Sequence, residues 1–327
     1  MKKISVIIPV YNSASTIGEC LSAVYDSDFR DYEVIVVDDC STDNTIDIVK
    51  RFRCRILKLS KNSGPAVARN LGVKNAEGDI IIFIDSDVLL DKDAMGLMAK
   101  NFEDKNTMAV SGIYSKEPAN KSWFNWYISL QKYLFWTKAN TDEYSSFGPR
   151  LGAIRKSVFN EIEGFNPRFK QMEDYEFGRR LTEKYKVVLD KKIQGKHYHP
   201  SLKTCIRKYF ERSHYWFRLF LKKKKFDNIT TTASTGVLTM FGFLTWILFL
   251  SSLLSLFFLK SLFLPFVIST SISAIIFLYG NIRFFAFSFK EKGSSFMLYA
   301  IFIGYLLSFV IGMGIIYSVV TYPIDKL

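Results

Sequence analysis

The chain has 327 residues, a net charge of +13 and 49% hydrophobic residues. That length holds one or two domains with a sizeable core. The positive charge does not mark a nucleic-acid partner, because much of the excess lies in IRKYFERSHYWFRLFLKKKK, residues 206–225, a basic aromatic stretch suited to a membrane surface.

The N-terminus, MKKISVIIPVYNS, is too short for a signal-peptide core and lacks a small-residue cleavage site. It reads as a buried strand over residues 4–8, and the soluble domain is expected in the cytoplasm. Ile17, Leu21 and Val24 then recur at helical spacing. YEVIVVDD, 32–39, is a second apolar strand that ends in acid. TDNTIDIVKRF reads as a helix capped by Thr42 or Asp43. RILKL is a third strand, GPAVARNLGVKNA (64–76) a helix, and DIIIFIDSD a fourth strand. Strands alternating with helices imply an α/β domain with a parallel sheet, whose ligands bind beyond the carboxyl ends of the strands. Farther on, WFNWYISLQKYLFW (123–136) reads as a helix with Trp123, Trp126, Tyr127, Leu130 and Leu134 on one face. Cys20, Cys40, Cys54 and Cys205 have neither metal spacing nor disulfide density, so free thiols are expected.

Charge almost stops after residue 227. No charged residue stands between Asp227 and Lys260, between Lys260 and Arg283, or between Lys292 and Asp325. Each gap is long enough for a membrane helix. Three spans are expected near 236–258, 262–282 and 295–320. The domains then run 1–205 (soluble), 206–228 (basic, amphipathic, interfacial) and 229–327 (transmembrane). Lys222 to Lys225 mark the cytoplasmic side, and Arg283, Lys290 and Lys292 return the chain there, which leaves YPIDKL outside. The second span is the more polar, with Ser269, Thr270, Ser271, Ser273 and Asn281. No ionisable residue lies mid-span, so nothing in these spans suggests an ion pathway.

Asp85 and Asp87 follow the apolar run Ile80 to Ile84. Two carboxylates two residues apart suit Mg²⁺ or Mn²⁺, which bind oxygen and share their shell with substrate phosphates. The ordinary reading of such a pair is a turn before a helix. The surrounding sequence favours the first reading. SVIIPVYNSASTIGECLSAV, YEVIVVDDCSTDNT, NSGPAVARNLGVKNAEGDIIIFIDSDV and GFNPRFKQMEDYEFGRRL occur in order over roughly residues 4–182. With them the chain resembles a family 2 glycosyltransferase of the GT-A (Rossmann-like) fold, followed by a C-terminal α-helical transmembrane domain.

The resemblance implies a nucleotide-sugar pocket. Pro9 and Tyr11 would line the base, Asp39 would accept its N–H with Asp38 beside it, and Arg69 would reach phosphate. Asp87 would bind the metal and Asp85 the ribose or metal. In QMEDYEF, Asp174 would be the general base and Glu173 its support, because an inverting transfer needs one base for the acceptor hydroxyl. Apart from the resemblance, alternation along a strand would turn His197 and His199 of KHYHP toward the site, where one of them, His197, would complete the metal shell or touch phosphate, set against a structural role for both. The stretch SFGPRLGAIRKSVF departs from the family's Gly-Gly-Asn-like segment: Pro149 and Arg150 replace small polar residues, though Gly148, Gly152 and Arg155 fit loosely. The absence of a Gln-Xaa-Xaa-Arg-Trp motif implies addition of single sugars.

The function implied is transfer from a nucleotide sugar, UDP-linked by expectation, to a lipid or lipid-linked acceptor at the inner face of the cell membrane. Two alternatives stand beside it. A polyprenyl-phosphate glycosyl synthase would tolerate Asp174→Asn better. A non-catalytic scaffold would bind no donor.

Overall fold

The computed structural model describes residues 4–138, 146–169, 172–223 and 233–321. The chain forms two compact units, Met1–His199 and Pro200–Leu327.

The first unit is built on one mixed sheet. Strands β1 (Ile4–Val10), β2 (Tyr32–Asp38), β3 (Arg55–Lys58) and β4 (Ile80–Ile84) are parallel, joined by α1 (Ile17–Tyr25), α2 (Thr45–Val49) and α3 (Pro65–Asn75). The apolar runs VIVV and IIIFI are buried along both faces, as a helix-covered parallel sheet requires. The rest of the sheet comes from β5 (Val88–Leu90), β6 (Ala109–Tyr114), β7 (Leu151–Arg155) and β8 (Val187–His197), giving the order β3-β2-β1-β4-β7-β6-β8-β5. Strand β7 is antiparallel to β4, so Leu151 faces Ile84. Strand β5 is antiparallel to β8, so Val88 faces His197.

Helices α4 (Ala94–Asn101), α5 (Trp123–Lys138), α6 (Lys156–Glu161) and α7 (Glu173–Lys184) complete the unit. Helix α7 seats Phe177 and Leu181 in a cluster with Phe83, Phe147, Phe159 and Phe165. Gly178 allows this approach, since a Cβ there would lie 2.8 Å from the Phe147 backbone nitrogen. Helix α5 is buried along one flank. Trp123 is exposed, while Phe124 and Ile128 are buried with Tyr127 and Leu130. The described cysteines form no disulfide.

The second unit is helical. It contains α8 (Leu202–Lys223), α9 (Ala233–Phe258), a 3-10 turn (Lys260–Leu262), α10 (Phe263–Gly280), α11 (Ile282–Lys292) and α12 (Ser294–Thr321). The interfacial segment expected at 206–228 falls on α8. Its last five positions, with Lys224 and Lys225, lie outside the described residues, as does YPIDKL. Three stretches are long and apolar enough to cross a membrane: Thr235–Phe258, Lys260–Gly280 and Ser294–Thr321.

The direction of these helices corrects the alternation read from the charges. Helix α10 runs antiparallel to α9, with Gly280 against Leu238 and Ser273 Oγ on the Phe241 carbonyl. Helix α12 is also antiparallel to α9: Trp246 donates to the Tyr305 carbonyl, and Gly312 lies against Phe243. So α10 and α12 run the same way, and α11 is the limb between them. Its eleven residues span only about 16 Å, roughly half a bilayer core. The far end of α12 packs on α8, where Gly314 meets the Phe210 carbonyl and Ser318 Oγ donates to the His214 carbonyl. The end of α12 therefore lies on the same side as the helix that leads into α9. Arg283, Lys290 and Lys292 sit on a helix, not in the loop that the charges suggested.

Candidate active site

The carboxyl ends of β1, β2 and β4 carry the polar residues singled out above. Tyr11 follows β1 and is 48% exposed, a ring left open at the sheet edge. Pro9 is half-buried within β1. Asn12 takes a left-handed conformation and its side-chain oxygen accepts from the Thr42 N–H at 2.8 Å. The β1 and β2 loops are thereby latched together. Ser13 Oγ lies 2.9 Å from Ser86 Oγ, which ties the same loop to the Asp85–Asp87 turn.

Asp38 is fully buried and closes its own turn, accepting from the Ser41 N–H at 2.9 Å. Asp39 is also buried, and its two oxygens accept the N–H groups of Ser63 and Gly64 at 2.7 and 2.8 Å. These bonds fix the loop that opens α3. Gly64 needs its positive φ of 92° to present that N–H.

Arg69 is the joint of the site. It projects from α3, is 4% exposed, and donates to Asp85 Oδ1 at 2.7 Å and Glu173 Oε1 at 2.9 Å. The guanidinium also lies over the Phe165 ring. One buried cation thus joins the Asp-Ser-Asp turn to the first turn of α7. These two carboxylates take up its two terminal nitrogens, while Nε is buried without a hydrogen-bond partner. Burial alone would lower the guanidinium, but Asp85 and Glu173 outweigh it and keep it charged. Burial raises the Glu173 carboxyl; Arg69 opposes and Asp174 reinforces the rise.

Asp174 is the next residue on α7 and remains half-exposed. Its Oδ1 accepts from the Tyr175 N–H at 2.8 Å. Met172, which precedes the helix, holds φ at +66°. The acids Glu173, Asp174 and Glu176 fill the first turn, where the helix dipole favours negative charge.

Asp87 lies across from β8. The Tyr198 N–H donates to the Asp87 carbonyl at 2.9 Å, and His197 Nε2 sits 3.4 Å from Asp87 Oδ2. Burial pushes the Asp87 carboxyl up, but the His197 contact and charge prevail and leave it below its ordinary value. Asp87 Oδ1 is buried with no hydrogen-bond partner. Among the described residues no group of three or more His, Cys, Asp or Glu forms a ready-made metal cage. The orphaned Asp87 oxygen beside an imidazole nitrogen nevertheless fits a hard cation that keeps water and phosphate in its shell. His199, behind His197, is pushed down to about 2 by burial, with Lys132 and His197 acting the same way.

Sequence reasoning missed Tyr114, Arg150 and Lys132. Tyr114 ends β6 and is buried, with its ring 4.5 Å from His197. Burial holds its phenol well above the ordinary value; Arg150 opposes this, and Asp85, Asp87 and Asp174 add to it. So Tyr114 stands within the field of all three acids. Arg150 lies 5.2 Å from the Tyr114 ring and 5.3 Å from Trp136, and Lys132 Nζ lies 5.2 Å from Tyr114. The end-of-strand rule would have found Tyr114 had AVSGIY been read as a strand. Arg155, a loose fit to the family segment, is structural: it is buried and donates to the Phe102, Asp104 and Thr107 carbonyls. A separate cavity of about 690 Å³, lined by Tyr25, Arg30, Phe52 and Arg53 among others, opens where β2 and β3 begin, away from these acids.

The family description Glycosyl transferase family 2 matches residues 5–163. The chain carries a family 2 glycosyl transferase domain. Within it, the poly(ribitol-phosphate) beta-N-acetylglucosaminyltransferase TarS of Staphylococcus aureus (strain Mu50) is 43% identical over 124 residues. That match covers 35% of this chain and 22% of TarS. Glycosyltransferase GlyG of Streptococcus pneumoniae serotype 4 is 28% identical over 182 residues, 50% of this chain and 60% of GlyG. The aligned parts thus span less than two thirds of either relative. Among solved structures, mannosyltransferase PcManGT from Pyrobaculum calidifontis, in complex with GDP-Man and Mn²⁺, superposes with a TM-score of 0.57 at 18% identity. The superposition covers 100% of this chain and 88% of that one. The likeness is one of fold: a GT-A α/β transferase domain followed by a helical region with three candidate apolar spans.

Proposed function

We propose that this chain is an inverting, metal-assisted glycosyltransferase. It would move one sugar from a nucleotide-diphosphate sugar, UDP-linked by preference, to a lipid-linked or polymeric glycan at the inner face of the cell membrane. The observation that carries the reading is the Arg69 bridge, which joins Asp85 to Glu173, 87 intervening positions later in the sequence. A donor-side turn and an acceptor-side helix are then parts of one cleft.

Each residue has a role in that reading. The open Tyr11 ring stacks on the nucleotide base, and Pro9 lines it. Asp38 and Asp39 hold the loops that frame the base. Asp85, Asp87 and His197 hold Mg²⁺ or Mn²⁺, which when bound neutralises the departing diphosphate. Arg69 keeps Asp85 and Glu173 in register and lowers the cost of packing acids together. Asp174, half-exposed on its helix, takes the proton of the acceptor hydroxyl as the oxygen attacks the anomeric carbon. The leaving group departs from the opposite face and needs no acid of its own.

The acceptor class is supported by two findings. The chain holds stretches that are long and apolar enough to cross a membrane, which suits an acceptor carried on a lipid. TarS, by its name, acts on poly(ribitol-phosphate), which suits a cell-envelope glycopolymer. Localisation of the transferase domain in the cytoplasm follows from the need for a nucleotide sugar.

The test is hydrolysis and transfer by purified protein in detergent, across UDP- and GDP-sugars with Mg²⁺ or Mn²⁺. Turnover of one donor that disappears without metal and in Asp87→Ala and Asp174→Asn supports the proposal. Neither binding nor turnover of any donor would favour a scaffold.

A further inference from the structure

We propose that His199 and Ser129 are positioning residues that hold the His197 ring and let its proton sit on Nδ1, the tautomer a cation needs. The inference rests on the reading of Asp87 and His197 as cation ligands. A chain of polar contacts runs inward from Asp87. His197 Nε2 lies 3.4 Å from Asp87 Oδ2, and His197 Nδ1 lies 3.0 Å from His199 Nδ1. His199 Nε2 lies 2.9 Å from Ser129 Oγ. His199 is 3% exposed and Ser129 is fully buried, so water does not substitute for these partners.

Two ring nitrogens facing each other at 3.0 Å share one proton. With none, two lone pairs would repel; with two, the N–H groups would clash. The tautomers of the two neutral rings are therefore locked to each other. Two arrangements satisfy the His197–His199–Ser129 contacts; they differ at Asp87, which receives an N–H in one and faces a bare ring lone pair in the other until a cation lies between them. In one, His197 carries its proton on Nε2 toward Asp87, His199 donates from Nδ1, and the Ser129 hydroxyl donates to His199 Nε2. In the other, His197 donates from Nδ1, His199 carries its proton on Nε2, and the Ser129 oxygen accepts it. A cation on His197 Nε2 requires a lone pair there and is compatible only with the second. Ser129 serves both arrangements because a hydroxyl donates and accepts.

The surrounding backbone holds the chain in line. Asn120 accepts from the His199 N–H at 3.0 Å and donates to the His199 carbonyl at 2.8 Å. The β5–β8 register sets His197 opposite Val88, beside Asp87. Ser129 reaches the chain from α5, on which Asn125 and Ser129 are polar residues within the buried face. Their presence there has no explanation in packing alone, and the contact to His199 supplies one for Ser129. Outer partners of this kind orient a ligating imidazole and typically shift metal affinity by about 10–100-fold.

The experiment uses the full chain in detergent. The chain has three histidines, so long-range proton–nitrogen correlation of ¹⁵N-histidine protein gives a readable imidazole spectrum. With Mg²⁺ and UDP added, the proton is expected on Nδ1 of His197 and on Nε2 of His199. Retention of the proton on His197 Nε2 in the loaded protein overturns the proposal. Mn²⁺ titration followed by electron paramagnetic resonance, with UDP present, is the second readout. Ser129→Ala should weaken Mn²⁺ binding by about 10-fold or more, while Ser129→Thr, which keeps the hydroxyl, stays near wild type. Ser129→Ala and His199→Ala binding as wild type, while His197→Ala does not bind, would overturn the positioning role and leave the cation site standing. A wild-type protein that binds no Mn²⁺ would overturn both.

Discussion

Removing the Arg69 guanidinium tests how the site is held together. Arg69→Met keeps much of the apolar stem and deletes the charge. Glu173, 9% exposed, then loses its cation, and Asp85, with about a third of its side chain in solvent, is compensated by water. The loss therefore falls on Glu173. Breaking a buried pair by removing one partner costs about 3–5 kcal/mol, which in a domain of this size lowers the melting temperature by roughly 10 °C. The pH dependence has a fixed sign. Burial already raises the Glu173 carboxyl above its ordinary value, and loss of Arg69 raises it further. A carboxyl whose folded pKa exceeds its unfolded one binds more protons when folded, so stability falls as pH rises between the two values. The variant should thus be weakest at neutral pH and recover part of its loss as pH drops toward the ordinary glutamate range. Arg69→Met/Glu173→Gln should recover much of the deficit at pH 7. Thermal unfolding of the purified protein across pH measures all three. A single variant as stable as wild type at pH 7, or a deficit that deepens in acid, would refute the bridge.

Three further outcomes follow from the same geometry. Tyr11→Ala removes an exposed ring and should weaken UDP binding by about 10-fold without changing the melting temperature, as stacking of about 0.5–1.5 kcal/mol implies; calorimetry reads both. Gly178→Ala forces a Cβ to 2.8 Å from the Phe147 backbone and should cost about 1–3 kcal/mol by overpacking, read as a lower melting temperature. Because the end of α12 packs on α8, reporter tags fused after the last residue and before the first should label from the same side of the membrane. Labelling from opposite sides would restore the alternation read from the charges.

Much of the transferase unit was legible in the sequence because its first half is local. Apolar runs such as Ile80 to Ile84 can only be buried strands, and the acids at their ends must then gather on one edge. What stayed hidden depends on contacts across long separations. Nothing near Arg69 reveals that its partner is Glu173, 104 positions away. Tyr114 and Ser129 acquire meaning only from β6 and α5, whose neighbours are β8, which ends at His197, and His199 just beyond it. Which flank of α5 meets the sheet stayed open because aromatic residues at helical spacing do not say so. In the helical unit, Lys290 and Lys292 read as a loop because charge usually marks one. The short helix α11 instead lets two apolar helices run in the same direction.

The central claim is that Asp87 and Asp174 belong to one cleft but do different work. Calorimetric titration of UDP into wild type, Asp87→Ala and Asp174→Asn, with and without Mn²⁺, separates them. The account predicts Mn²⁺-dependent binding in wild type and in Asp174→Asn, and its loss in Asp87→Ala. Equal binding by Asp87→Ala, or binding that ignores the metal throughout, would contradict it.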